Sequence, residues 1–308
     1  MKRSVNRMND YVFKRIFGSE ENKDILLNFL NAVLNSRSGY ELTEIELLDR
    51  ELDPDFLGDK YARLDILGRT AKGSLINIEV QIVNQYNIEK RTLFYWAKLY
   101  QGQLQSGQSH ALLKKTVTIN VLNFICLPDA SRYHNTYHVR EDETHQVLND
   151  DLEIHFLELP KLLCRTSTPQ TRLEKWLLYL NNAEGKELEE VLMSEPMIKK
   201  ALTCEQIFAK SALERRRYEL REKAIMEEQT LLHGAREEGR IEGKLEGKLE
   251  GAKQTIRTIL EIKFGAESAV LMPLLDNITE PDDLTRITQS LLTVTTPREV
   301  KDLLGQPD

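Results

Sequence analysis

The fold class this sequence predicts is an α/β sandwich around a mixed β-sheet, extended at its carboxyl end by helices. Three observations predict it. Over roughly the first 160 residues the elements run helix, three strands, helix and further strands. Residues 75–83 alternate cleanly behind a short turn, as a hairpin strand does. Residues 205–264 are almost continuously helix-favouring.

Taken in order, residues 9–17 place Tyr11, Val12, Phe13, Ile16 and Phe17 on one short helical face. Glu21 to Leu34 reads as an amphipathic helix, with Ile25, Leu26, Phe29, Leu30, Val33 and Leu34 at helical spacing and a stop at 35–39. Residues 43–50 fit a first strand and Tyr61–Gly68 a second. In LINIEVQIV (75–83), Leu75, Asn77, Glu79, Gln81 and Val83 share one face, and the β-branched Ile76, Ile78, Val80 and Ile82 share the other. The 69–74 turn is short enough to join the second and third strands as an antiparallel hairpin. A helix over 88–105 carries Leu93, Trp96, Ala97, Tyr100 and Leu104 along one side, and strands follow at 114–126, 133–140 and 152–159. Helices are expected at 169–182 and 186–202. Glycines at 239, 243, 247 and 251 punctuate a tetrad repeat, IEGKLEGKLEG, inside the long helical run. Each costs about 1 kcal/mol against alanine in a helix, so two readings stay open, a closely packed helix and a charged linker.

Composition narrows the function classes. The chain has 308 residues, a net charge of −7 and 41% hydrophobic residues. No run approaches the roughly 18 to 20 apolar residues of a membrane span, and the amino terminus is no secretory signal. Cys126, Cys164 and Cys204 lie far apart with no paired motif, which fits a reducing cytoplasm and neither a disulfide framework nor structural zinc. The acidity does not exclude nucleic acid, because residues 1–183 carry a net charge of only −1. Nucleotide-phosphate loops, the GxSxG elbow and the dinucleotide fingerprint are all missing from the sequence. His134 and His138 stand four apart, but YHNTYHV is strand-like, so both read as surface residues.

One constellation carries chemistry. Asp65 lies among Leu64, Ile66 and Leu67, where a carboxylate is costly unless paired or metal-bound. Closing the hairpin through 69–74 pairs residue i with about 143 or 144 minus i, which sets Asp65 opposite position 78 or 79. Asp65 and Glu79 then converge, and a divalent cation relieves their repulsion. Such oxygen ligands suit Mg²⁺ or Mn²⁺. Gln81 is a third polar group on the Glu79 face. Lys60 and Arg63 flank the strand, Arg63 on the side of Asp65. Arg91 and Tyr95, one helical turn apart, are candidates for the same cleft, although as surface residues they need no such role. Asp10 and Lys14 in the opening helix fit a solvated role better than a cleft border.

These residues resemble a known pattern. Asp65 followed by Glu79-Val80-Gln81 resembles the P-D…(D/E)-x-K nucleases in an E-x-Q variant. NDYVFKRIFGSEENKDILLNFLNAVL, RLDILGRT, LINIEVQI and KRTLFYWAKLY are together similar to the Rpn family of recombination-promoting nucleases, transposase-like PD-(D/E)XK proteins, over about residues 6–160. The resemblance implies a restriction-endonuclease-like core and a magnesium-dependent DNA endonuclease. Asp65, Glu79 and the Val80 carbonyl would be metal ligands, and Gln81 would stand in the usual lysine position. Losing that lysine's charge implies another cation, such as Arg91 or Lys90. The organisation expected is a nuclease-like domain at 1–165, a helical region at 166–233, the repeat at 234–254 and a small helical module at 255–308. The helical tail would join two copies into a dimer. A protein that keeps the nuclease fold but acts only as an oligomeric interaction module is the alternative.

Overall fold

The computed structural model describes residues 5–38, 41–49, 51–52, 62–163 and 169–305. They fall into two compact units, Met1–Met226 and Glu227–Asp308.

In the first unit, α1 (Asp10–Phe17) starts at Asn9, whose side chain accepts the N–H of Tyr11, and buries Val12, Phe13, Ile16 and Phe17. The second helix, α2 (Lys23–Ser38), runs four residues past its expected stop. Asn and Ser cost only tenths of a kcal/mol each in a helix, and the buried Phe29, Leu30 and Val33 outweigh that.

Strands β1 (Ile45–Leu47), β4 (Ile66–Thr70), β5 (Leu75–Gln81), β6 (Thr116–Leu122), β7 (His134–Tyr137) and β8 (Leu152–Glu158) form one sheet in the order β1-β4-β5-β6-β8-β7. The β5/β6 and β6/β8 pairs are parallel and the others antiparallel. This is the mixed sheet of the expected fold, and parallel neighbours need a crossover. Helix α3 (Ile88–Gln101) makes the crossover between β5 and β6.

The strand expected at 61–68 divides. Ala62–Arg63 (β3) pairs with Glu51–Leu52 (β2) in a separate ladder, while Ile66 onward joins the main sheet, so the chain changes partners at Leu64–Asp65. The 69–74 turn closes with Gly73 at φ 86° and the Thr70 N–H on the Ser74 carbonyl.

Both faces of β5 are covered. Ile66, Ile76, Ile78 and Val80 pack on α1 and α2, while Leu64, Leu67 and Leu75 pack on Leu99 of α3. The buried stripe of α3 is therefore Ile88, Thr92 and Leu99; Leu93, expected there, is 50% exposed. A partly polar strand face recruits Thr92, whose hydroxyl donates to Asn120 Oδ1 at 2.9 Å.

The core continues past residue 165. Helices α5 (Arg172–Leu180), α6 (Gly185–Ser194) and α7 (Pro196–Lys210) follow α4 (Leu159–Leu163) and close over α1 and α2. Pro196, at the first position of α7, divides the run expected at 186–202. The Trp176 ring lies 5.4 Å from Phe17 in a tilted contact and 5.9 Å from Phe29 edge-on, centroid to centroid, and its indole N–H donates to Asn28 at 2.9 Å.

Helix α8 (Ala212–Phe264) carries the tetrad repeat in helical form. In the second unit its last turns pack Ile256 and Leu260 against Leu271, Leu275, Leu284, Ile287, Leu291, Val300 and Leu304. These come from α9 (Met272–Asp276), α10 (Pro281–Ser290), α11 (Pro297–Leu304) and their connections.

Because Trp176 is fully buried at the junction of α1, α2 and α5, Trp176→Ala is expected to destabilise the first unit by about 3–5 kcal/mol. Urea unfolding followed by far-UV circular dichroism measures it; a loss below about 1 kcal/mol would show that α5 is not part of this core.

Candidate active site

The β4–β5 register brings two acids face to face. Ile66 pairs with Ile78 and Leu67 with Asn77, so the next step outward sets Asp65 against Glu79. Of the two registers expected, this is the one summing to 144. The link is reciprocal: Val80 N–H donates to Asp65 Oδ2 at 2.8 Å, and Asp65 N–H donates to Glu79 Oε1 at 3.3 Å. Asp65 thus occupies the break between β3 and β4, with its carboxylate held by β5. Each acid is only 7% exposed.

A second buried carboxylate alongside raises the cost of ionising Glu79. Burial, joined by the charge of Asp65, pushes the Glu79 carboxyl up to about 8, and Arg91 opposes both. Lys14 of α1 supplies the nearest opposite charge, its Nζ 2.8 Å from Asp65 Oδ1 and 3.3 Å from Asp10. The opening helix therefore reaches the site through Lys14, contrary to the solvated role expected for it.

The other expected residues divide. Arg91 and Tyr95 on α3 both lie within electrostatic range of the acids. The Arg91 guanidinium also donates to the side chain of Gln85. Tyr95 is half-buried, and its phenol is raised by burial, with Arg91 opposing and both carboxylates adding to the rise. Lys90 is exposed. Gln81 continues the Glu79 face, and its Nε2 is buried with no hydrogen-bond partner. For Val80, the N–H is the group that meets Asp65. Lys60, Tyr61 and the side chain of Arg63 lie outside the described residues.

Sequence reasoning missed a polar line beneath the acids. Asn77 and its register partner Thr118 are fully buried; the Asn77 side chain lies close enough to Glu79 to favour its ionised form, and the Thr118 hydroxyl has no hydrogen-bond partner among the described residues. Beside them, Asn120 accepts from Thr92 and donates to the His155 carbonyl. The alternation Thr116, Thr118, Asn120 within β6 was the available signal.

The residues present fit a divalent cation. The side-chain donors are hard oxygens, and two buried carboxylates side by side favour a cation between them. Asp65 and Glu79, with the Val80 carbonyl, are the groups that would hold it.

A family model described as PD-(D/E)XK nuclease family transposase matches residues 7–235. No curated protein and no solved structure matches the chain.

The raised Glu79 carboxyl has a measurable consequence in metal-free protein. Unfolded, this group ionises near its ordinary 4.5; folded, it ionises near 8. The folded state therefore binds more protons between those values, and stability falls as pH rises through that window. Glu79→Gln removes the ionisation. Its melting temperature relative to the parent is expected to be higher at pH 8.5 than at pH 5, by at least about 2 °C. The same difference at both pH values in EDTA would contradict the raised carboxyl.

Proposed function

Because the chain belongs to the PD-(D/E)XK nuclease family of transposases, we propose that it is a Mg²⁺-dependent DNA endonuclease of the recombination-promoting type. The observation that carries this reading is the pair of opposed, buried carboxylates at Asp65 and Glu79. When bound, Mg²⁺ supplies a water of lowered pKa and charge stabilisation at a phosphoryl oxygen, with Mn²⁺ able to serve in its place.

The chain's own residues do the rest. Asp65 and Glu79 would hold the ion, and their backbone links across the hairpin fix their separation before substrate arrives. The Gln81 amide can donate a hydrogen bond to a bound phosphate but carries no charge. Lys14 supplies the cation that Gln81 lacks, because its ammonium already rests on Asp65. Arg91 adds a second positive charge from the α3 side. Tyr95 keeps its proton and can donate to a phosphate oxygen, and Arg63 is a further phosphate candidate from the chain just before Asp65.

Two-strand cleavage calls for two sites, and the repeat on α8 offers a way to assemble them. A step of four helical residues turns 400°, so like residues form slowly winding columns. Ile241, Leu245 and Leu249 make an apolar column, with Ile241 and Leu245 61% and 49% exposed. Arg240, Lys244 and Lys248 precede it around the helix, and Glu242, Glu246 and Glu250 follow. A parallel pair of such helices sets the acidic flank of one against the basic flank of the other, whereas an antiparallel pair opposes like charges. We therefore read the tail as a parallel dimer contact. The alternative, an interaction module without catalysis, would keep this contact and lose the chemistry.

Incubation with supercoiled plasmid separates the two. Wild type is expected to nick in Mg²⁺ and not in EDTA. Asp65→Ala and Glu79→Ala are each expected to lower the rate by at least about 10²-fold, and Lys14→Ala by roughly 10–10³-fold. Equal rates for wild type and both carboxylate variants would sink the enzyme. For assembly, sedimentation is expected to show a dimer at micromolar concentration and a monomer after Ile241→Glu with Leu245→Glu; a monomeric wild type contradicts the contact.

A further inference from the structure

At the other end of the sheet, and on its opposite face, lies a second constellation. A cavity of about 450 Å³ there is lined by His138, Asp150, Glu153, His155 and Lys115, among others. The β7–β8 register sets Tyr137 against Ile154, so the next step brings His138 opposite Glu153. One ligand atom from each of His138, Asp150 and Glu153 lies within 4.8 Å of the others.

We propose that His138, Asp150 and Glu153 form a second divalent-metal site, of the zinc class, that clips the base of the β7–β8 hairpin. The proposal stands independently of the nuclease reading.

Two observations beyond clustering point to a ligand. First, His138 Nδ1 is buried and has no hydrogen-bond partner. A half-buried imidazole that clusters with two carboxylates while one ring nitrogen stays without a partner among the described residues has an unmet coordination valence. It also corrects the expectation that His138 and His134 are surface residues, since His134 Nε2 lies 2.8 Å from His155 Nδ1. Second, a supporting shell is already built. His155, 3% exposed, holds Glu153 Oε1 at 2.7 Å through Nε2 and is itself held by His134. Metal-ligating carboxylates are oriented by such partners.

Without an ion, Lys115 does part of the cation's work, with Nζ 2.8 Å from Asp150 and 2.5 Å from Glu153. Asp150 is 73% exposed at its side chain, so it can turn from the ammonium to an ion entering through the cavity. The donor set decides the metal. An imidazole nitrogen with two carboxylates favours Zn²⁺ over Mg²⁺, whereas the side-chain donors at Asp65 and Glu79 are oxygens alone. The ion would join the residue after β7 to the start of β8 and close the loop between them.

The test uses the full chain carrying Asp65→Ala and Glu79→Ala, which removes the paired carboxylates of the first site. Equilibrium dialysis is expected to find one equivalent of Zn²⁺ bound, with a dissociation constant on the order of micromolar or tighter. Co²⁺ in its place is expected to give visible absorption of a nitrogen- and oxygen-ligated ion. Adding His138→Ala should weaken Zn²⁺ binding by at least about tenfold and remove that absorption. Asp150→Asn, at an exposed position that leaves the fold intact, should weaken it as well. No bound equivalent, or Zn²⁺ affinity unchanged by Asp150→Asn or by a folded His138→Ala, overturns the site.

Discussion

Two carboxylates forced together across a β-hairpin are the constraint on which the rest of the first unit turns. Asp65 and Glu79 each engage the other strand's backbone, so their positions are tied to the pairing between β4 and β5. Burial denies them water, and their mutual repulsion is met by Lys14 from one side of the sheet and Arg91 from the other. Sites tuned for reaction are often held in this way, with an unfavourable charge arrangement maintained by a stable frame.

The frame explains how so polar a strand survives inside the protein. β5 is central, flanked by β4 and β6, with α1 and α2 on its apolar face and α3 on the other. The apolar face supplies the burial that stabilises the sheet. The second face trades some of that burial for function, through Asn77, Glu79, Gln81 and Thr118. Two of these, Gln81 and Thr118, hold polar atoms without hydrogen-bond partners among the described residues, a cost set beside the acids.

Much of this arrangement was legible in the sequence, for physical reasons. Strict alternation over 75–83 and a short turn fix the faces of a hairpin and narrow its register to Asp65 opposite position 78 or 79, of which the structure takes 79. Long-range partners were not legible. Lys14 reaches Asp65 because α1 lies against the sheet, and no local pattern encodes that approach. The stripe of α3 was misplaced because its strongest apolar residues were taken as the buried ones. The strand face beneath is partly polar and prefers Thr92 to Leu93. The break at Leu64–Asp65 follows from two separate ladders competing for one run. His138 and Glu153 are fifteen residues apart in sequence, and only the β7–β8 register joins them.

Diffraction from crystals soaked in Mn²⁺, with the anomalous signal locating the ion, tests the paired carboxylates most directly. The expected result is a peak between Asp65 and Glu79, with an oxygen from each at roughly 2.1 Å. An ordered site with no ion there, or with the two carboxylates turned to opposite faces of the sheet, would contradict it.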